Sequence, residues 1–230
     1  MIPPGRMPPW ATLVRAPNPG PMTLDGTNTW ILRAPGHPAA VVVDPGPLDE
    51  GHLAAVAAHG PVEGVLLTHG HPDHTDGLAR FLELTGATVG ETGGGLRIER
   101  LPTPGHTADS VCYLVEGEAV LTGDTILGRG STVVAWPDGN LRDYLASLRS
   151  LAASGPLVGL PGHGPVIESV PAAAARYLAH RAERLEQVRA AVAAGARTPR
   201  EVVEAVYAEV DPALWGAAEL SVRAQLEYLS

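Results

Sequence analysis

The chain has 230 residues, of which 45% are hydrophobic, so it can bury a sizeable core and hold one large domain with a small appendage. Its formal net charge of −9 argues against a surface coated for binding polyphosphates. Residues 1–22 are interrupted by prolines and contain no apolar run as long as a signal peptide or a membrane span requires. We therefore expect a soluble, cytoplasmic protein without a membrane partner, and the composition indicates no oligomeric state.

The first part of the chain predicts strands that alternate with loops rich in proline, glycine and asparagine. Runs of strand-forming residues occupy 11–15, 28–33 and 39–43, and the last of them ends at Asp44. We expect antiparallel pairing among these strands. Apolar residues at helical spacing then predict a helix over 48–59.

The next predicted strand, 62–67, leads into the densest group of metal-binding side chains in the sequence. His69, His71, Asp73 and His74 fall within six residues. In an extended loop the rings of His69 and His71 can turn toward one ion, which leaves Asp73 and His74 to hold a second. Nitrogen and oxygen donors without a thiolate suit zinc, with iron or manganese as alternatives. Loops that carry ligands in α/β sheets lie beyond the C-terminal ends of strands, as this one does.

Three later strands end in residues of the same kind. Predicted strands at 96–101, 118–121 and 156–160 lead into His106, Asp124 and His163, respectively. Glycines beside several of these positions allow close approach of the backbone. Helices are predicted at 76–84 and 141–152. A further strand at 110–115 contains the single cysteine, Cys112, whose apolar neighbours predict a buried structural thiol.

The C-terminal part of the chain predicts helices throughout. A long helix over 172–194 follows the catalytic part without a flexible linker, and a capping box at 198–201 opens a second helix that extends to 210. A short helix is predicted to start at Asp211 and Pro212, and a further helix is predicted at 220–229. We therefore divide the chain into a catalytic domain, 1–171, and a helical domain, 172–230. The arginines of the long helix spread around it, which predicts a solvated surface.

The metal-binding residues, in chain order, resemble the pattern of the metallo-β-lactamase superfamily of binuclear metallohydrolases: His69, His71, Asp73, His74, His106, Asp124 and His163. The resemblance implies an α/β fold, a four-layer αββα sandwich of two similar halves, with the metals at the edge where the two sheets meet. It also implies two metal sites bridged by Asp124, the first held by His69, His71 and His106 and the second by Asp73, His74 and His163. Asp44 looks like a carboxylate that orients one ligand imidazole, although a turn former would fit equally.

A narrower likeness extends over nearly the whole chain. The segments that carry it are 26–30, 103–107, 123–128, 161–165, the pair His180 and Arg181, and the helical tail. They are similar to those of a group of small β-lactamase-like hydrolases with a winged-helix-like C-terminal domain. That group includes a mitochondrial single-strand endoribonuclease and polyketide-associated thioesterases, so its members act on different bonds.

The resemblance implies a hydrolase with two Zn²⁺ ions, with Mn²⁺ or Fe²⁺ as alternatives, whose nucleophile is a metal-bridging hydroxide oriented and deprotonated by Asp73. The first hypothesis is hydrolysis of an ester or thioester of a small acyl compound, as in glyoxalase II and thioesterases. The alternative is cleavage of single-stranded RNA, against which the net charge of −9 and the absence of lysine argue. An iron persulfide dioxygenase would leave the full ligand set unexplained, and a partner-binding module with a vestigial site would do the same.

Four further histidines lie away from the glycine motifs at strand ends. They are His37, His52, His59 and His180, and we interpret them as ordinary surface or interface residues.

Overall fold

Two β-sheets, each formed by one half of the catalytic part of the chain, face one another in the computed structural model, which describes residues 6–90 and 93–230. The first sheet contains, in spatial order, β1 (Ala11–Arg15), β2 (Asn28–Leu32), β3 (Ala40–Val43), β4 (Val62–Leu66) and β5 (Thr88–Val89). The second contains β6 (Ile98–Pro102), β7 (Val111–Val115), β8 (Ala119–Gly123) and β9 (Val158–Pro161). In both sheets the early strands pair antiparallel and the later ones parallel, so the two halves repeat one design.

Helices cover the outer faces of the sheets and form the C-terminal part. They are α1 (Glu50–Ala57), α2 (Pro72–Thr75), α3 (Leu78–Thr85), α4 (Leu141–Ala152), α5 (Val170–Ala193), α6 (Pro199–Val206) and α7 (Trp215–Leu229), with a short 3-10 helix at Pro212–Leu214. Within residues 6–90 and 93–230, none of the helices combines the length and hydrophobicity needed to span a bilayer.

The alternation of side chains along the strands produces the layers. Trp30 and Leu32 belong to the core between the sheets, whereas Ile31 packs with residues of α1 and α3. In the second sheet Leu121 faces the inter-sheet core and Val120 packs with α4 and α5. Because successive residues of a strand point to opposite faces, each buried strand contributes to two apolar layers. The expected αββα order is confirmed.

The helical tail joins the catalytic part through one continuous helix. α5 starts at Val170, capped by Ser169, and it packs against α4. Its last turns form a separate apolar cluster with α6 and α7, which includes Val188, Val203 and Val222. Since α5 runs unbroken across residue 171, the division of the chain at that residue remains a prediction. Residues 1–5 and 91–92, which belong to the predicted catalytic domain, lie outside the described residues.

Several elements differ from the sequence prediction. The strand β5, of two residues, and the helix α2, of four, were not predicted because each is too short to show periodicity. The helix expected to reach residue 210 ends at Val206, and α7 begins at Trp215 instead of residue 220.

Candidate metal centre

The first group of predicted ligands lies just beyond the C-terminal end of β4. The chain leaves β4 at Leu66, passes through an extended segment that carries His69, and enters α2 with His71 at the N-cap position. Pro72 occupies the first helical position, where its missing N–H is not needed. The helical turn then separates the next two side chains, because His74 is fully buried while Asp73 keeps 27% of its side chain exposed.

Asp44, at the end of β3, fixes the base of this loop. Its carboxylate accepts hydrogen bonds from the backbone N–H of Thr68 at 2.8 Å and from the Thr68 hydroxyl at 2.7 Å. The Nδ1 atom of His74 lies 2.9 Å from the same carboxylate, which can only accept, so this nitrogen carries the proton. The Nε2 atom of His74 is thereby left as the metal-facing donor. The structure therefore places Asp44 where the sequence suggested an orienting carboxylate.

Four predicted ligands converge in one buried group. One donor atom of each of them lies within 4.8 Å of the others: His69, His71, His106 and Asp124. The closest pair is Nε2 of His69 and Nδ1 of His71, at 2.9 Å, and Nε2 of His106 lies 3.1 Å from the same Nδ1. The loops that carry these residues belong to different sheets, so the group forms only when the two halves pack together.

Asp73, His74 and His163 form a second group of the same dimensions, with donor atoms within 4.8 Å of one another. Nε2 of His163 lies 3.2 Å from Oδ2 of Asp73 and 3.3 Å from Nε2 of His74. Asp124 belongs to the first group but also approaches the second, since its Oδ2 is 3.4 Å from Nε2 of His163. Its Oδ1 is buried and accepts no hydrogen bond among the described residues. Asp124 thus lies between the two groups.

The electrostatics of the cluster favour bound positive charge. Burial raises the pKa of Asp124, yet the neighbouring His74 and His163 outweigh it and hold this pKa well below its ordinary value. Burial lowers the pKa of the two imidazoles, but the adjacent carboxylates raise it to about 9 for His74 and about 10 for His163. Burial and the charge of His74 together lower the pKa of His69 to about 2. The carboxylates therefore favour positive charge at these two rings, and a divalent metal would supply that charge in place of the protons. Carboxylates and imidazoles without a thiolate are donors that suit such a metal.

Residues just before and within β2 hold parts of the cluster in place through hydrogen bonds. Thr27 donates a hydrogen bond of 2.9 Å to Oδ2 of Asp73. The amide of Asn28 donates to two backbone carbonyls of the loop 161–164, at 3.0 and 2.9 Å, and the indole N–H of Trp30 donates to the first of them. This loop carries His163. The sequence brought these residues in only through the likeness to the small β-lactamase-like hydrolases. The feature that could have identified them as supports of the site is a run of polar residues inside a buried strand.

Two glycines make room for the cluster. A side chain at Gly105 would place its Cβ 2.2 Å from the backbone nitrogen of Tyr144, and the φ of +134° there disfavours other residues. A Cβ at Gly162 would lie 2.4 Å from Oδ1 of Asp124. The backbone at both positions must therefore approach its neighbours closely, as the glycine motifs predicted.

Comparison with known proteins agrees with this arrangement. The family model of the metallo-beta-lactamase superfamily matches residues 22–92 and 87–163, and that of the beta-lactamase associated winged helix domain matches residues 198–230. The chain belongs to the metallo-β-lactamase superfamily. It is a hydrolase of that superfamily, and the superfamily fold together with the His/Asp cluster indicates metal binding.

Two curated relatives and one solved structure illustrate the similarity. The lactamase-like protein vrtG of Penicillium aethiopicum is 34% identical over 90% of this chain and 74% of its own length. The atrochrysone carboxyl ACP thioesterase of Aspergillus fumigatus is 34% identical over 83% of this chain and 71% of its own. A metallo-beta-lactamase family protein from Thermus thermophilus superposes with a TM-score of 0.80 at 24% identity, over 96% of this chain and 93% of that one, which shows the shared fold.

Residues 131–133, which we call the strap, were not predicted to take part in the site. Nδ1 of His106 donates to the carbonyl of Val133 at 2.8 Å, which leaves Nε2 of that histidine for the metal. The hydroxyl of Thr132 donates to the backbone carbonyl of Asp124 at 2.8 Å. The strap thus holds two predicted ligands of the second half. Backbone carbonyls give no sequence signal, since every residue supplies one.

Of the four remaining histidines, interpreted as ordinary surface or interface residues, His52 alone is fully buried, while His37 and His180 are half-buried. His52 is buried on the inner side of α1, with Nε2 2.9 Å from the Thr29 hydroxyl. His180 is half-buried and lines a cavity beside the strap. His59 is exposed, as expected. The prediction for Cys112 is confirmed, because its thiol is fully buried and burial raises its pKa to about 11.

Proposed function

We propose that this protein is a metal-dependent thioesterase that releases a small acyl group from its thiol carrier. The observation that carries the proposal is the identity of 34%, over 83% of this chain, with a relative named atrochrysone carboxyl ACP thioesterase. The buried donor groups support hydrolysis as the reaction type, because every side chain that the superfamily pattern requires converges at one edge of the sandwich.

The proposed ligands divide as the two groups do. His69, His71 and His106 would hold one metal, Asp73, His74 and His163 the other, and Asp124 would contact both. Zinc is the metal that we propose, with manganese or iron as alternatives, because the donors are imidazoles and carboxylates without a thiolate. When bound, such a metal pair supplies a hydrolytic water of lowered pKa and an electrophile for the oxygen of the carbonyl group.

The residues of the chain orient the reactants. Asp73 is the most exposed carboxylate of the cluster, at 27% compared with 11% for Asp124, so it faces incoming water and substrate. Its Oδ2 is fixed by Thr27, while its Oδ1 makes no hydrogen bond to the rest of the described chain. That free oxygen can orient the attacking water and accept its proton. Asp44 keeps His74 in one tautomer and orientation.

Contacts within the chain engage three arginines that the sequence places near ligand segments, which favours the thioesterase proposal over the RNA alternative. Arg80 pairs with Glu50 and Glu83, and Arg129 pairs with Asp25. Arg142 stacks over the ring of Tyr228, with 5.5 Å between its Cζ atom and the ring centroid. An RNA strand requires several free cations along its course, whereas a thioester requires the metals and a pocket.

The test is a parallel assay of zinc-loaded and manganese-loaded protein with a thioester, a lactone, a bis-aryl phosphodiester and single-stranded RNA. We expect the thioester to be hydrolysed fastest and the Asp73→Asn variant to lose this activity. Asp76→Asn is the matched control, since Asp76 is an exposed carboxylate three residues further along the chain. Cleavage of RNA with a steep salt dependence, while thioesters remain untouched, would replace this proposal with the endonuclease alternative.

A further inference from the structure

A cavity of about 270 Å³ lies between the strap and the C-terminal helices. Its walls come from four parts of the chain, which are the loop before β2, the strap, α5, and the segment from α6 to α7. The residues that carry the argument are Met22, Thr132, His180, Arg181, Arg184 and Tyr207. Since ligand pockets for drug-sized molecules usually measure about 300–1,000 Å³, this cavity suits one end of a substrate better than the whole of it.

Arg181 is a buried cation in the wall of this cavity. Only 5% of its surface is exposed, and it is the only buried arginine among residues 6–90 and 93–230. One Nη atom donates to the carbonyl of Thr132, and the guanidinium lies over the ring of Tyr144, 5.4 Å from its centroid. Its Nε–H has no hydrogen-bond partner in the described part of the chain. The prediction of a solvated helix surface is therefore wrong for this residue.

No carboxylate of the described residues forms an ion pair with Arg181, in contrast to several arginines on the surface. Arg80, Arg129 and Arg200 each pair with at least one acidic side chain, although solvent would stabilise their charges without one. A buried charge without a counterion is unfavourable, and here it persists in a chain with a net charge of −9. An anion that does not belong to the chain would supply the missing partner.

Two neighbours on α5, Arg184 and His180, also line the cavity, and Arg184 adds a second positive charge to it. Arg184 donates to the carbonyl of Val206 and stacks over the ring of Tyr207 at 4.3 Å, without an acidic partner among the described residues. His180 contributes an Nδ1 atom that is buried and has no hydrogen-bond partner in the same set. The cavity thus combines two arginines that lack an acidic partner among the described residues with the apolar surface of Met22 and of the helices behind it.

We propose that this cavity binds an anionic oxygen group of the substrate, a carboxylate or a phosphate, with Arg181 as the residue that selects for it. The inference rests on the proposed thioesterase function and adds a feature that the substrate must have. Two sources share this chemistry: a carboxylate on the acyl group and a phosphate on the thiol carrier. Asp73 and Asp124 pair with histidines of the cluster and not with Arg181, and metals held there would offset their charge further.

The strap connects this cavity to the metal centre. Arg181 contacts the carbonyl of Thr132, whose hydroxyl contacts the backbone of Asp124, and the next residue contacts His106. A group bound in the cavity would therefore lie across the strap from Asp124 and His106, two of the proposed metal ligands. Anchoring one end of the substrate there would place its thioester at the metals, which is how binding energy remote from the reacting bond contributes to the rate.

The test compares two matched pairs of thioesters on the full-length, metal-loaded protein. The first pair is hexanoyl and adipoyl N-acetylcysteamine, which differ by a carboxylate on the acyl group. The second is hexanoyl pantetheine and hexanoyl 4′-phosphopantetheine, which differ by a phosphate on the carrier. We expect wild-type protein to prefer the anionic member of one pair, and that pair identifies the source of the anion. Arg181→Met should reduce kcat/KM for that member by about 10–100-fold, mainly through KM, and reduce it for the neutral member by a clearly smaller factor.

Control variants separate charge from folding. Arg176→Met, on an exposed position of the same helix, should leave all four values unchanged. Arg181→Lys should retain part of the preference, and Arg184→Gln, at a less buried position, should weaken it even if Arg181→Met fails to fold. An equal loss on the neutral and anionic substrates in Arg181→Met, or no preference in the wild-type protein, would overturn the inference and leave Arg181 as a clamp between α5 and the strap.

Calorimetric titration with adipate and with inorganic phosphate distinguishes failure of this inference from failure of the proposed function. If no thioester is hydrolysed but one of these anions binds wild-type protein and not Arg181→Met, the thioesterase proposal fails and the anion site stands. If thioesters are hydrolysed and neither anion shows a difference between wild type and variant, and no charge preference is seen, the anion site fails and the thioesterase proposal stands.

Discussion

The two halves of the sandwich build their shares of the metal centre in different ways. The first half supplies four proposed ligands from one stretch, residues 69–74, immediately after β4. The second half supplies three from separate loops, at His106, Asp124 and His163. The sheets repeat one topology, but the ligands of the first are fixed within their own sheet, by Asp44 at the end of the neighbouring strand β3 and by the turn of α2. In the second half, His106 depends on the strap and the loop with His163 depends on Asn28 of the other sheet.

This difference shows where the geometry of the site is vulnerable. The loop with His163 is held by Asn28, which is 133 residues from the nearer of its two acceptors. His106 is held by the strap, 27 residues further along the chain. The support from Asn28 forms only after the two sheets have packed together, whereas the contiguous stretch is oriented from within its own sheet. We expect the second half to be the more sensitive to changes outside the ligand set.

The largest effect is expected where the halves meet. Asp124→Asn removes the carboxylate charge between the two groups, and we expect the activity to fall by about 1,000-fold, since a catalytic metal contributes several kcal/mol. Metal analysis of the purified variant should show a loss of bound ion together with the loss of activity. Asp138→Asn, at an exposed carboxylate of a nearby loop, is the control. Full metal content in Asp124→Asn would contradict the position of Asp124 between two metals.

A smaller effect is expected from the local support of the first half. Asp44→Asn keeps the shape of the side chain but weakens its contact with the Nδ1–H of His74. Loss of such an orienting partner typically reduces metal affinity or activity by about 10–100-fold, which competition with a fluorescent chelator would measure. An effect as large as that of Asp124→Asn would show that Asp44 is itself a ligand.

Removing the distant support tests the comparison directly. Asn28→Ala deletes two buried hydrogen bonds to the loop 161–164, and we expect a loss of about 1–3 kcal/mol in the free energy of unfolding. The affinity for the second metal should fall while that for the first is retained, because His163 belongs only to the second group. Trp30→Phe is the matched change, since it removes one hydrogen bond to the same loop and keeps the ring in the core. Equal loss of both metals in Asn28→Ala would mean that the whole edge is disordered by it.

The smallest effect concerns pH and a histidine of the first half. Burial lowers the pKa of His52 in the folded protein. Below a pH of about 6.5 the unfolded chain therefore binds a proton at this histidine that the folded chain does not bind. The free energy of unfolding should therefore decrease as the pH falls below 6.5, by up to about 1.4 kcal/mol per pH unit from this group. Urea unfolding in excess EDTA should show a shallower pH dependence for His52→Gln and an unchanged one for the exposed His59→Gln. Identical slopes in all three proteins would contradict this role.

The sequence revealed the proposed ligands because their side chains are chemically conspicuous and stand at strand ends. The layers of the fold were implied by the resemblance to the superfamily, and the burial of Trp30 and Ile31 on opposite faces of β2 agrees with them. The supports of the second half could not be predicted in the same way. A carbonyl such as that of Val133 is present in every residue, and the partners of Asn28 are identified only by the packed structure. Arg181 looked solvated because a helical wheel does not show which neighbour covers each position.

The buried thiol of Cys112 has a practical consequence for studying this enzyme. It is the only cysteine of the chain, it is fully covered, and its raised pKa keeps it protonated at neutral pH. Maleimide reagents modify the thiolate of exposed cysteines, so the native protein should resist labelling. A single substitution such as Ala213→Cys, at an exposed site beside the cavity residue Leu214, would then accept a fluorophore selectively without removal of the native cysteine. The fluorescence of this label would then report how the helical tail responds to substrate.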